Sequence, residues 1–181
     1  MAEFISPQEE VGGRADHLPN VAATLIDLHR LVSIFLASRS FADLIEAPAG
    51  HASELHDPLF KLQTCEEDEI SRILLTLAIT ARVVDDANAR LLELLALPCG
   101  TLVPDIRRPD LSEPLEMREA CNKIVHATRR RFDVEQNASG RPYLVPTLYF
   151  YGAQGAREWK ATLDVIAFAK EYASSVVAVA A

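Results

Sequence analysis

From Pro19 onward the apolar positions recur at helical spacing. Val21, Leu25, Leu28, Val32, Phe35 and Leu36 predict a helix that runs to about Ile45. Pro48 and Gly50 stop it, and residues 49–63 read as a connecting loop. A second helix opens at Thr64-Cys65-Glu66-Glu67, where Thr64 and Glu67 have the spacing of a capping box and the acidic turn suits the helix dipole. Behind it Ile70, Ile73, Leu74, Leu77, Ala78, Ala81 and Val84 make an apolar face wide enough for a central helix. Asp85-Asp86-Ala87-Asn88 interrupts this pattern before residues 91–97 resume it, so residues 65–97 form one bent helix or two. Pro98 and Gly100 end the region, and residues 101–110, with Pro104 and Pro109, read as a loop.

A third helix is expected from Ser112, an N-cap followed by Pro114 in the first turn, to just before Asn137-Ala138-Ser139-Gly140. The period then changes to two. Leu148 and Phe150 alternate with Thr147, Tyr149 and Tyr151, predicting a strand over 143–151. Gly152-Ala153-Gln154-Gly155 supplies a turn, and residues 157–163 a second strand with Trp159, Ala161 and Leu163 on one face. Asp164 caps a last helix that turns Val165, Phe168, Ala169, Tyr172 and Val176 inward. The expected fold is mainly α: an antiparallel helical bundle with a small β-hairpin before the C-terminal helix. It forms a single domain over 18–181, behind a polar, mobile leader over 1–17.

Composition narrows the function classes. The chain has 181 residues, 49% of them hydrophobic, enough to bury one sizeable core. A formal net charge of −8 disfavours non-specific coating of duplex nucleic acid, for which phosphate neutralisation dominates the affinity. A local patch is still open, because Arg107, Arg108, Arg129, Arg130, Arg131 and Arg141 fall within one quarter of the chain. Cys65, Cys99 and Cys121 have neither CxxC spacing nor an even count, which argues against a disulfide framework or a zinc site and fits a reducing compartment. No basic start precedes an apolar run at the N-terminus, and no apolar window reaches the roughly 20 residues of a membrane span. These features give the expectation of a cytoplasmic protein with no membrane partner and no metal or other cofactor.

The stretch that carries chemistry is Met117-Arg118-Glu119-Ala120-Cys121-Asn122-Lys123-Ile124-Val125-His126, followed by Ala127-Thr128-Arg129-Arg130-Arg131. Residues four apart share a helix face, so Arg118, Asn122, His126 and Arg130 line up as one polar stripe. Metal-free RNA cleavage needs a base, an acid and a cation beside phosphorus. Histidine suits the first two roles, and arginine the third. The bland alternative has Asn122 and His126 bridging to Asp85 or Asp86 on a neighbouring helix and the triple arginine lying in a solvated helix end.

Asn122-Lys123-Ile124-Val125-His126, late in a helix, resembles the motif of the HEPN superfamily: an arginine, a polar residue, three more, then a histidine. The resemblance implies an all-α bundle acting as a homodimer, with a metal-independent endoribonuclease site at the subunit junction. It also implies a toxin–antitoxin or phage-defence setting with a cognate antitoxin as partner. By that resemblance His126 is the catalytic histidine and Asn122 the polar residue. Cys121 stands at the arginine position, and Arg118, one turn earlier, is the candidate replacement. Arg130, Lys123 and Arg129 are then the expected contacts to RNA or nucleotide phosphate. The rival expectation is a non-catalytic helical protein, a degenerate member that self-associates or binds a protein partner.

Weaker groupings are His51, Glu54, His56 and Asp57 in one loop, which could hold a divalent metal, and Trp159 with Tyr149 and Tyr151 as a stacking platform. An exposed polar loop and ordinary packing are the plainer expectations for these. Cys121 reads as a buried small hydrophobe, Cys99 as a loop thiol open to reaction, and His29 as a core-edge histidine.

Overall fold

A computed structural model describes residues 20–88 and 97–180. Helix α1 (Val21–Leu44) is capped by the Asn20 side chain, which accepts from the Ala23 amide. A 3₁₀ turn (Ala52–His56), α2 (Pro58–Gln63) and α3 (Glu66–Ala87) follow. Then come β1 (Gly100–Val103), β2 (Glu113–Pro114), α4 (Met117–His126), β3 (Arg129–Gln136), β4 (Pro142–Gln154) and β5 (Arg157–Asp164). The last segment is α5 (Val165–Glu171), a π-helical turn (Tyr172–Val176) and α6 (Val177–Ala180). Asp164 accepts from the Ile166 and Ala167 amides, capping α5 as its sequence suggests.

The protein is not a helical bundle with a small hairpin. It is mixed α/β, built on a five-stranded antiparallel sheet in the order β2-β1-β5-β4-β3. Helices α1, α4 and α5 pack on the sheet, and α3 packs against α1 and α4. Leu148, Phe150, Ala161, Leu163 and Phe132 face these helices and join Leu31, Phe35, Leu74, Leu77, Met117 and Phe168 in one core.

Two misread segments account for the difference. The expected third helix stops at His126, because Ala127 turns extended and the Thr128 amide bonds to the Tyr151 carbonyl. The next eight residues form β3, an edge strand in which Phe132 alone is buried. Such a strand shows no alternation, and its arginines, glutamate and glutamine favour helix when read locally. Pairing along β4, from Arg129 opposite Tyr151 to Gln136 opposite Pro142, overrides that preference. The second segment is the expected loop at 101–110. Its start is β1, held to β5 by backbone pairing from Gly100 opposite Leu163 to Val103 opposite Lys160. Gly100 is needed there, since a Cβ would collide with the Thr162 carbonyl.

Smaller corrections concern helix ends and helix exposure. Helix α4 begins at Met117 with Glu116 as N-cap, and Pro114 lies in β2 rather than in a helical first turn. Thr64 ends α2 by donating to the Lys61 carbonyl instead of making a capping box; Cys65 precedes α3 without a side-chain cap bond. Helix α1 is, against expectation, long and apolar enough to cross a bilayer. Here its Leu28, Leu31, Phe35 and Ala42 are buried, while Leu25, Ile26, Leu36 and Leu44 are exposed. The leader over 1–17 lies outside the described residues. So do residues 89–96, and with them the choice between one bent helix and two.

Candidate functional site

The sequence stripe divides in the folded chain. Arg118 turns toward α3, where its guanidinium pairs with Asp85 and reaches Asp86 at 3.1 Å. The two aspartates considered as partners for Asn122 and His126 therefore belong to Arg118. Arg130 is on β3, not on the helix, and lies 3.6 Å from Asp68 of α3. Arg129 opens β3. The structure brings neither Arg129 nor Arg130 into one cleft with His126.

Asn122, Lys123 and His126 do meet. They line an open cleft between α4, the end of β4 and the start of β5, together with Arg82, Glu119, Gln154 and Trp159. His126, the last residue of α4, is exposed. Glu119 organises the cleft floor: it accepts from Asn122 Nδ2 at 2.9 Å and from Lys123 Nζ at 2.9 Å. The Lys123 ammonium also sits 4.4 Å from the centre of the Trp159 ring, a cation–π contact that holds it in place. Burial acts to raise the Glu119 carboxyl, but the bonds from Asn122 and Lys123 and the nearby positive charges outweigh it and hold the group below its ordinary value.

Glu119 was legible in principle, because it lies three and four residues before Asn122 and Lys123 on one helix. Arg82 and Trp159 come from other elements, so nothing in the local sequence announces them. A second cleft on the other side of α4 is floored by Leu74, Ile124, Leu148 and Phe150 and rimmed by Ser71, Thr128 and Arg130. Among the described residues it has no histidine or carboxylate in its lining.

The weaker groupings resolve into structure. His51 accepts from the Ser53 amide, Asp57 caps α2, and Glu54 pairs with Arg141, so the loop has other work than metal binding. Among the described residues no three metal-ligating groups converge. Arg141 is almost wholly buried and also donates to the Ala47 carbonyl, which removes it from any surface patch. Cys99 is buried, and burial pushes its thiol up to about 12, contrary to the expectation of a reactive loop thiol. Burial pushes Cys121 up to about 12 as well, as befits a core residue. His29 is exposed on α1. The stacking platform splits, because Trp159 is on the helix-covered face of the sheet while Tyr149 and Tyr151 are on the other.

No family profile, curated protein or solved structure matches this chain.

Proposed function

We propose that the α4 cleft binds a phosphodiester of RNA and that His126 is its proton-transfer residue. The observation that carries this reading is the exposure of His126 at a cleft that also holds Asn122 and two cations, Lys123 and Arg82. A neutral imidazole there can take the proton of a ribose 2′-hydroxyl as its oxygen attacks phosphorus. The bond to the 5′-oxygen then breaks, leaving a 2′,3′-cyclic phosphate, and the departing oxygen takes up a proton. Arg82 is the cation open to the negative charge that builds on phosphate, with Lys123, ion-paired to Glu119, behind it. Asn122, with one amide hydrogen given to Glu119, keeps its carbonyl oxygen and second hydrogen for sugar or phosphate.

The HEPN resemblance supports this reading through α4 alone, since the all-α bundle it implies is not the fold found. Cys121, at the motif's arginine position, is buried, and Arg118, the candidate replacement, is bound to Asp85. The phosphate cations move to Lys123 and Arg82. Among the described residues a single chain brings one histidine to the cleft, so a homodimer with two facing clefts fits the need for both a base and an acid. A toxin or phage-defence role with a cognate antitoxin follows from the same resemblance.

Incubating the purified chain with total RNA in chelator tests the reading. Wild type should yield cyclic-phosphate fragments and His126→Ala none, at an unchanged melting temperature. Intact RNA with the wild-type chain overturns it.

One observation favours a non-catalytic, self-associating protein. Leu75, Ile79 and Val83 recur every four residues along α3 and are 44%, 48% and 41% exposed, an apolar ridge with no cover among the described residues. Sedimentation of wild type against Ile79→Glu, alongside the RNA assay, separates the two: a dimer lost in the variant with RNA untouched supports self-association alone.

A further inference from the structure

The face of the sheet turned away from the helices carries an ordered array of side chains. Residues opposite one another on neighbouring strands share a face. Arg129 of β3, Tyr151 of β4 and Lys160 of β5 form one row across the sheet. Arg131, Tyr149 and Thr162 form the next. Tyr149 and Tyr151 are two residues apart on one strand, about 7 Å along it. Lys160 Nζ lies 4.6 Å from the centre of the Tyr149 ring. Among the described residues Arg129, Arg131 and Lys160 make no ion pair, although the protein carries a net charge of −8.

Of the carboxylates on this face, Glu135 and Glu158 stand outside the two rows, and Asp133 touches the second at Tyr149. Asp133 accepts from the Tyr149 hydroxyl at 3.2 Å, and Glu135 accepts from the Tyr143 hydroxyl at 2.5 Å. Glu158, opposite Ala153, is one row further on the other side. Three cations around two partly exposed phenol rings, with one carboxylate, Asp133, at the hydroxyl end of Tyr149, complement a ligand that alternates flat apolar rings with single negative charges. Single-stranded nucleic acid has that chemistry; a duplex hides its ring faces.

We propose that this face is a track for a single-stranded nucleic acid, with bases stacking on Tyr149 and Tyr151 and phosphates held by Arg129, Arg131 and Lys160. It is a surface separate from the His126 cleft, although Arg129 begins only three residues after His126, at most about 11 Å along the chain. The track therefore stands or falls independently of the cleft chemistry.

The test is fluorescence anisotropy of the full chain with labelled 12-mers: 2′-O-methyl uridine, which has no hydroxyl to attack, DNA of the same sequence, and a duplex. Wild type should bind the single strands in preference to the duplex. Tyr149→Ala with Tyr151→Ala should weaken binding about tenfold or more, and the corresponding Phe pair should keep it. Arg129→Gln with Lys160→Gln should flatten the salt dependence. Binding unchanged by the alanine pair, or equal binding of duplex, overturns the track. So does a dimer in sedimentation that the alanine pair dissociates, because it makes this face a protein interface. RNA cleavage by wild type that the alanine pair leaves intact, with no strand binding, would sink the track and leave the cleft reading standing. Strand binding by a chain that cleaves nothing would do the reverse.

Discussion

The guanidinium of Arg118 is bound to the carboxylate of Asp85, whose side chain is wholly shielded from solvent. Ion pairs of this kind are coupled tightly to the fold. Removing the cation leaves a buried carboxylate with its solvation lost and no guanidinium charge opposite it. Arg118→Ala should lower stability by about 3–5 kcal/mol in a denaturant titration. Arg118→Met combined with Asp85→Leu should recover part of that loss, since the buried charges are then replaced by apolar volume. His126→Ala, at an exposed position, should change stability by no more than about 0.5 kcal/mol. A small effect at Arg118 would show that the pair does not anchor α4 to α3.

Two glutamates should give stability–pH slopes of opposite sign. Burial raises Glu66, more than its bond from Ser38 at 2.7 Å lowers it. The native state then holds that proton more tightly than the unfolded chain does, so stability falls as pH climbs from the ordinary 4.5 through the raised value. Glu119 is lowered despite its burial, so its contribution is complete above 4.5 and is lost as pH drops through the folded value. Melting temperatures from pH 3 to 7 test this against Glu66→Gln and Glu119→Gln. Wild type should lose ground to the first variant with rising pH and gain ground on the second. Parallel curves would contradict both assignments.

Where burial alternated cleanly, the sequence was readable. Helix α1 and the hairpin of β4 and β5 fall close to their expected bounds, and Asp164 caps the helix its spacing indicated. Edge strands were not readable, because only backbone pairing defines them. Phe132 is the one buried side chain of β3, and β2 has two residues. That gap hid the sheet, and with it the face on which Tyr149 and Tyr151 stand. At the site, Asn122 and His126 were placed together by helical spacing, but the same spacing carried the stripe past the end of α4 to Arg130. Local periodicity also could not show that Arg118 turns to Asp85 or that Arg82 and Trp159 complete the cleft, since those contacts join separate elements.

Trp159 offers a direct reporter of the cleft. It is the one tryptophan of the chain, and its indole lies over Gly152, its partner on β4. A Cβ at Gly152 would meet Trp159 Cε2 at 2.7 Å, inside contact distance, so the ring has to move. Lys123 sits on that ring and Glu119 on Lys123, which couples the displacement to the cleft floor. Gly152→Ala should therefore shift and redden the fluorescence of the ring, which is almost fully buried, and destabilise the fold by about 1–3 kcal/mol through overpacking. Trp159→Phe, with a smaller ring, should relieve the clash and restore part of the stability when combined with Gly152→Ala. If the emission and melting temperature of Gly152→Ala match wild type, the indole does not rest on Gly152, and the support it gives to Lys123 falls with it.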